Sequence, residues 1–387
     1  MREVNLSSSS PEDWLRLGYA LGSREKGIRI GVAGGEEEPA KLAAETIKIG
    51  ARCAGAEVYF FGVQNLPIMR SGSMFYKTEL GAYAAYSKDD NRVNITVLDK
   101  DGIQLPSDAI KEWENIKAEE GGVENDLSEF KTYYIRNIIN SVRSDRFNIN
   151  MCLSTKSKTA SGIIEAVLRE LYSRLEPEAA GAYEFSGMVS EDGERIILVK
   201  SDGTQLTREQ TISVMVYVLL KDSGLRTFVL PEFMSQSAET AILKMGGNVI
   251  RCGNEDSEIM KKIVAAGGAE QLLMMYDGIY AAVRILDFLN INGVSFDGLC
   301  ANLPRVFKAE AEVEWGKNSN VVDMLKRQYN SSPFQGGVKI QTNGGVTMIF
   351  TPQGSNIIKI ISEADSMEAA EEISTLFKNK IKKLAKS

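Results

Sequence analysis

No histidine occurs among the 387 residues. That absence removes Ser-His-Asp and Cys-His nucleophile pairs, histidine metal ligands and imidazole acid–base chemistry. Cysteine is scarce as well. Cys53, Cys152, Cys252 and Cys300 lie far apart and form no CxxC pair, which argues against a zinc site or a disulfide framework and fits a reducing, cytoplasmic setting. No apolar run reaches the length of a bilayer span, and the opening Met1-Arg2-Glu3-Val4-Asn5 has no apolar leader, so no membrane partner is expected. Positive charge is not in excess either. A formal net charge of -7 argues against a nucleic-acid partner. The late lysines, Lys378, Lys380, Lys382, Lys383 and Lys386, read as the solvated end of a helix, where the dipole favours cations.

What is present describes a globular chain, 43% hydrophobic and 25% charged, too long for one ordinary core. Ile28 to Ala33 reads as a buried strand. Gly34-Gly35 turns the chain, and Pro39 suits the first turn of a helix that runs to about Ala54, with Leu42, Ala43, Ile47, Gly50 and Cys53 inward. Glu57 to Phe61 is the next strand, and this β-α-β order predicts a parallel sheet. The pattern returns twice. A strand from Phe147 to Leu153 precedes a helix from about Ala160 to Leu175; a strand from Thr227 to Leu230 precedes a helix near Ala238 to Met245 and a strand from Asn248 to Ile250. The last section differs: strands at Val338 to Ile340, Val346 to Phe350 and Ile357 to Ile361 lead to a helix from about Ser366. Its stripe of Ile373, Leu376, Phe377, Ile381 and Leu384 reads as core packing. Linkers at Ala118 to Asp126, Lys221 to Gly224 and Asn290 to Gly298 divide the chain into 1–125, 126–222, 223–297 and 298–387.

The most informative segment is Ser190-Glu191-Asp192-Gly193-Glu194-Arg195, set between an apolar approach ending at Val189 and the β-rich Ile196 to Val199. Polar side chains gathered around one glycine at a strand end can hold a divalent cation through oxygen. The other reading is a charged hairpin turn.

The segment resembles the D-G-D-x-D-R metal loop of the phosphohexomutases, the phosphoglucomutase and phosphomannomutase family. Ser190 stands for the first aspartate, Asp192 is kept, Glu194 replaces the third and Arg195 is kept. Further resemblances follow in family order. Gly62 to Pro67 is similar to the G-x-x-x-T-P approach to the nucleophile. Ala85-Tyr86-Ser87-Lys88-Asp89-Asp90 resembles the phosphoserine loop T-A-S-H-N-P, with the histidine become lysine and two aspartates beyond it. Asp101-Gly102-Ile103-Gln104 resembles N-G-x-K without its lysine. Gly34-Gly35-Glu36 stands where the family has an Arg-Asp pair. Gly268-Ala269-Glu270-Gln271 is all that remains of the sugar loop G-E-x-S-G-H before Asp277-Gly278, and Thr351-Pro352-Gln353-Gly354-Ser355-Asn356 resembles the phosphate loop R-P-S-G-T-E-P without its arginine.

The resemblance implies three mixed-sheet α/β domains and a small C-terminal α+β domain around a central cleft. It implies catalytic roles for Ser87, Lys88 and Arg195, a metal held by Ser190, Asp192 and Glu194, and substrate contacts from Glu270, Thr351, Gln353, Gly354, Ser355 and Lys359. Two carboxylates stand where three are usual, so magnesium is expected to bind weakly or not at all. The favoured expectation is a hexose-phosphate binder without turnover. The chain is also similar to the mutase-like region of some bacterial sugar-nucleotide pyrophosphorylases, which implies a sugar nucleotidyltransferase as partner. The alternatives are an active mutase working through phospho-Ser87 with magnesium, and an assembly module without a ligand.

Overall fold

The computed structural model describes residues 6–106, 121–144, 146–171, 183–305, 307–314, 321–329, 331–334, 337–342, 344–351 and 357–384. The chain divides into two compact units, one of residues 1–228 and 256–302 and one of residues 229–255 and 303–387.

The first unit opens with β1 (Ser7–Ser8), α1 (Pro11–Gly22), β2 (Arg29–Gly34), α2 (Glu38–Cys53), β3 (Glu57–Val63), α3 (Leu66–Phe75), β4 (Leu80–Ser87), β5 (Arg92–Asp99) and β6 (Glu124–Asp126). These strands form one sheet in the order β1-β5-β4-β2-β3-β6. As the β-α-β pattern predicts, β2 runs parallel to β3 and β4, and β6 runs parallel to β3. β5 returns antiparallel to β4 through a tight hairpin. Ile30, Val32, Val58, Ala82 and Val97 are fully buried under α1 and α2. α2 turns its small residues inward: Ala40, Ala43, Ala44, Ile47, Gly50 and Ala51 are buried, while Leu42, expected inside, is 58% exposed. The reason is the close approach of α1. A Cβ on Gly18 would lie 2.1 Å from the Ile47 carbonyl oxygen, and one on Gly50 would lie 2.2 Å from that of Leu15.

A second sheet follows. Its elements are α4 (Phe130–Asn140), β7 (Met151–Thr155), α5 (Lys158–Leu171), β8 (Phe185–Val189), β9 (Ile196–Val199) and α6 (Arg208–Asp222). β7 is parallel to β8, and β9 is antiparallel to it. The expected strand from Phe147 starts only at Met151. Before it, Phe147 N–H donates to the Leu171 carbonyl and Asn148 N–H to the Asn290 side chain, and the Asn150 carbonyl accepts from Phe185 N–H of β8 at 3.3 Å.

β10 (Thr227–Pro231), α7 (Gln236–Lys244) and β11 (Asn248–Cys252) come next, with β10 and β11 paired. α8 (Asp256–Ala265), α9 (Ala269–Tyr276), α10 (Gly278–Asn292) and α11 (Phe296–Ala301) complete the first unit. α10 is buried almost all round and mostly apolar, and its buried Arg284 and Asp287 pair with each other at 3.4 Å.

The second unit holds a five-stranded antiparallel sheet, β12-β16-β15-β14-β13, of β12 (Phe307–Glu314), β13 (Ser331–Phe334), β14 (Gly337–Thr342), β15 (Gly345–Phe350) and β16 (Ile357–Ala364). α12 (Val321–Gln328) and α13 (Met367–Leu384) accompany it. Phe377 and Ile381 of α13 are fully buried against Val338, Ile340 and Ile360, with Ile373 and Leu384 at the margin. Leu376, expected in the same stripe, is 57% exposed.

The α1–α2 contact sets up a competition of known sign. Gly50→Ala would raise helix propensity by about 1 kcal/mol, whereas the added methyl meets backbone that cannot rotate away. Overpacking costs about 1–3 kcal/mol, so a net loss is expected in urea unfolding. An unchanged or higher midpoint would show that the helices can part without cost.

Candidate functional site

The Ser190 to Arg195 segment is the hairpin turn that joins β8 to β9. Ser190 N–H donates to the Arg195 carbonyl at 2.9 Å and Gly193 N–H to the Ser190 carbonyl at 3.0 Å. Gly193 has φ +83°, a left-handed conformation that glycine adopts without strain. The two readings of the sequence therefore meet in one object, since the metal-loop resemblance is carried by a turn.

Its polar side chains bond within the protein. Ser190 Oγ donates to Asp192 Oδ1 at 2.5 Å, and Glu194 N–H donates to the same oxygen at 3.0 Å. Glu194 is ion-paired with Arg70 of α3. Arg70 is buried, and its other donors reach the Gly102 carbonyl at 3.0 Å and the Tyr276 carbonyl at 3.1 Å. Among the described residues, no three His, Cys, Asp or Glu side chains gather closely enough to hold a metal ion. Arg195 points elsewhere. It pairs with Asp256 at 2.7 Å and lies 4.4 Å above the Tyr276 ring, with Arg208 on the other oxygen of the same carboxylate.

Ser87 ends β4 opposite Arg92 of β5. Its hydroxyl donates to Asp90 Oδ2 at 3.2 Å and accepts from Asp90 N–H at 3.4 Å, inside the four-residue turn. Lys88 leaves that turn and approaches Glu37, with Nζ 3.7 Å from Oε1. Gln104 makes a bridge to Leu98. The expected sugar-loop turn before Asp277 is a helix, α9, so Glu270 stands exposed on its first turn. Thr351 is exposed at the end of β15, and Lys359 on β16 pairs with Glu312 at 3.4 Å. Gln353, Gly354 and Ser355 lie outside the described residues.

A cavity of about 110 Å³ brings Lys88 and Asp192 together at the carboxyl ends of β2 and β4. This is where ligands enter open α/β sheets. Ser87 is not among its lining residues; its neighbours Ala85, Tyr86 and Lys88 are. Glu36, Glu37 and Tyr83 are among the lining residues to which the sequence assigned no site role. Glu36 seals the amino end of α5, accepting from the N–H groups of Lys158 at 3.0 Å and Thr159 at 2.9 Å and from the hydroxyls of Ser157 and Thr159. Burial works to raise its carboxyl, but these donors outweigh burial and hold it below the ordinary glutamate value. Glu37 faces Lys88. Tyr83 sits 2% exposed in β4. Burial pushes its phenol far above the usual tyrosine value, and the carboxylates of Asp192, Glu37, Glu194 and Glu36 push it further. The only hint was a single large ring among the small residues Gly81, Ala82, Ala84 and Ala85.

The fold is that of the α-D-phosphohexomutases. A phosphoglucomutase/phosphomannomutase family protein from Burkholderia thailandensis superposes with a TM-score of 0.78 at 13% identity, over 97% of this chain and 94% of that one. N-acetylphosphoglucosamine mutase of Aspergillus fumigatus, solved with GlcNAc-6P and magnesium, superposes with a TM-score of 0.55 at 10% identity, over 100% of this chain and 96% of that one. In sequence the chain is 21% identical, over 99% of its length and 97% of the relative's, to a Pyrococcus abyssi protein described as a probable phosphoglucosamine mutase. That alignment spans 443 positions, so the relative has segments that this chain lacks. No family model matches the chain.

Behind the site, Asp277 caps α10 and accepts from Tyr280 N–H at 3.0 Å and from the Tyr134 hydroxyl at 2.8 Å and 2.9 Å. Burial pushes its carboxyl up to about 6, although those donors and Arg70 pull the other way. A folded-state value above the unfolded one means the native protein keeps a proton that the unfolded chain releases between about pH 4 and 6. Stability should therefore fall as pH rises through that window, by about 3 kcal/mol if this group acts alone. Asp277→Asn should flatten that stretch of a urea-midpoint series against pH. An unchanged slope would assign it to other groups.

Proposed function

We propose that this chain is a phosphohexomutase-fold protein of sugar-phosphate metabolism that binds a hexose phosphate without transferring its phosphoryl group. The observation that carries this reading is the Arg70–Glu194 ion pair. Both side chains are largely buried, 6% and 15% exposed. A cation that required Glu194 would have to strip it from Arg70, and leaving one member of a buried pair unmatched costs about 3–5 kcal/mol. Asp192 is already bonded by Ser190 and by the Glu194 backbone. The residues present therefore do not fit magnesium, which demands a near-ideal octahedron of oxygen ligands. We propose weak or absent magnesium binding.

The nucleophile end supports the same reading. Ser87 is folded back on Asp90, with Asp89 beside it. A phosphoryl group there would face two carboxylates, with the exposed Lys88 and the cross-strand Arg92 as the cations near it. Arg195, the other expected catalytic cation, is committed to Asp256. A site with neither a free nucleophile nor a poised cation can still hold a ligand, because binding needs complementarity to the ground state alone. A binder of this kind suits regulation of a sugar-nucleotide enzyme, and a sugar nucleotidyltransferase is the partner we propose.

Intact-mass measurement after incubation with glucose 1,6-bisphosphate and magnesium should show no added phosphoryl group, and a coupled mutase assay on glucose or mannose phosphates should show no turnover. Isothermal titration should detect hexose phosphate with or without chelator, and no micromolar magnesium site. Turnover lost in Ser87→Ala, or magnesium affinity lost in Asp192→Ala, would overturn the reading.

A further inference from the structure

One face of the first unit is built from α3, α4 and α9, and none of these helices lines the strand-end cavity. Between α3 and α9 lies an open groove of about 180 Å³, walled by Met74 on one side and by Leu272, Leu273 and Tyr276 on the other. Arg70 and Asp277 also line it, and both are already bonded within the fold. Beside the groove stands a knob. Phe75, next after Met74, is 53% exposed, and its ring lies 4.8 Å from that of Tyr133 of α4, which is 42% exposed. Two large rings half in water, next to an apolar groove with Met74 and Leu273 exposed on its walls, make a contiguous patch of the kind that marks an interface.

The charges flanking knob and groove have opposite signs. Arg136 lies one turn beyond Tyr133 on α4, and that helix also presents Lys131, against the single acid Glu129 at its start. Glu270 lies one turn before Leu273 and is the sole charged side chain of α9. Lys131, Arg136 and Glu270 are exposed, and none has an ion-pair partner among the described residues. Knob, groove and both signs of charge thus share one face, which is what a self-complementary contact requires. A twofold axis lays the knob side of one copy on the groove side of the other, so that every contact is made twice. The groove has room for a ring, since an apolar cavity of about 150 Å³ takes up benzene. We propose that this face is the interface of a symmetric homodimer, with the Phe75–Tyr133 knob of each copy seated in the other's α3–α9 groove and Arg136 paired with the partner's Glu270. The net charge of -7 on each chain opposes association at long range, so the Arg136–Glu270 match sets the register while the buried rings supply the affinity. The proposal does not depend on what the strand-end cavity binds.

Sedimentation velocity of the full chain over a concentration series should show a monomer–dimer equilibrium. Arg136→Glu and Glu270→Arg each set like charges against one another across the axis, and each should weaken dimerisation at least about tenfold. The double variant exchanges the two signs and should recover the dimer, a result that loss of folding cannot imitate. Leu273→Asp, which puts a charge on the groove wall, should leave monomer. A chain that stays monomeric at every concentration would overturn the proposal, whether another part of this chain or a protein of different sequence covers the groove. A dimer that neither charge reversal weakens, or that the double exchange fails to restore, would overturn it too.

Discussion

A buried guanidinium cannot be left without acceptors, and Arg70 meets that demand across three distant parts of the chain. Its donors reach Gly102 after β5, Glu194 in the β8–β9 turn and Tyr276 at the end of α9. The contacts span 32, 124 and 206 positions of sequence. Gly102 holds φ +73°, and a Cβ there would come within 2.8 Å of the Arg70 side chain, so the turn is shaped around the arginine. The β8–β9 turn is pinned from the same helix, through Leu66 N–H to the Asp192 carbonyl at 3.0 Å and Asn65 to Glu191. With the turn held there, Asp192 faces the same cavity as Tyr83 and Lys88. The position of the candidate site thus depends on satisfying one cation.

The same economy of charge governs the helix ends. The first N–H groups of a helix lack partners and attract anions. In the first unit Glu36 supplies the anion for α5. In the second unit Glu363, buried at 6% exposure, donates nothing and accepts from Gln236 N–H at 3.3 Å and from Ser237 at 3.3 Å and 3.1 Å, at the start of α7. In both places a carboxylate from a remote segment occupies a position that would otherwise suit a phosphate. Arg195, expected in the sequence as a catalytic residue, shares Asp256 with Arg208. The strong charges around the site are therefore mostly matched internally.

The architecture was legible because it rests on short-range pattern. Alternating apolar strands, Pro39 at a helix start and glycine turns placed the parallel strands, α2 and the C-terminal sheet within a few residues of where they are. Where the pattern misled, tertiary contact prevailed. Leu42 and Leu376 fit helical stripes, yet α1 leaves no room beside α2 for the first, and the face of α13 toward β14 and β16 excludes the second. α1 and α3 were not anticipated; α3 was read as a motif approach, Gly62 to Pro67, rather than as an element. The candidate site was legible only as loops in family order. Ser190, Asp192, Glu194 and Lys88 were named from the sequence, but their surroundings were not, because Arg70 and Tyr83 carry no local signature and act at long range.

Short connections keep the candidate loops within their own hydrogen bonds. The β4–β5 link is four residues, held by Ser87 on Asp90 and by Tyr86 on Asn91 at 2.6 Å, with Asn91 at φ +52°. A turn so short keeps its serine within its own hydrogen bonds and cannot reach toward the Ser190 hairpin as a longer loop would. The segment before Asp277 has likewise become α9, whose backbone bonds to itself and leaves Glu270 in solvent. The strands and buried helices need neither loop, since their stability comes from apolar packing around Ile30, Val32 and Val97. Sheet geometry then preserves a cavity at the strand ends whatever lines it. The lining here, rich in acceptors and centred on a buried phenol, sets what that cavity can recognise.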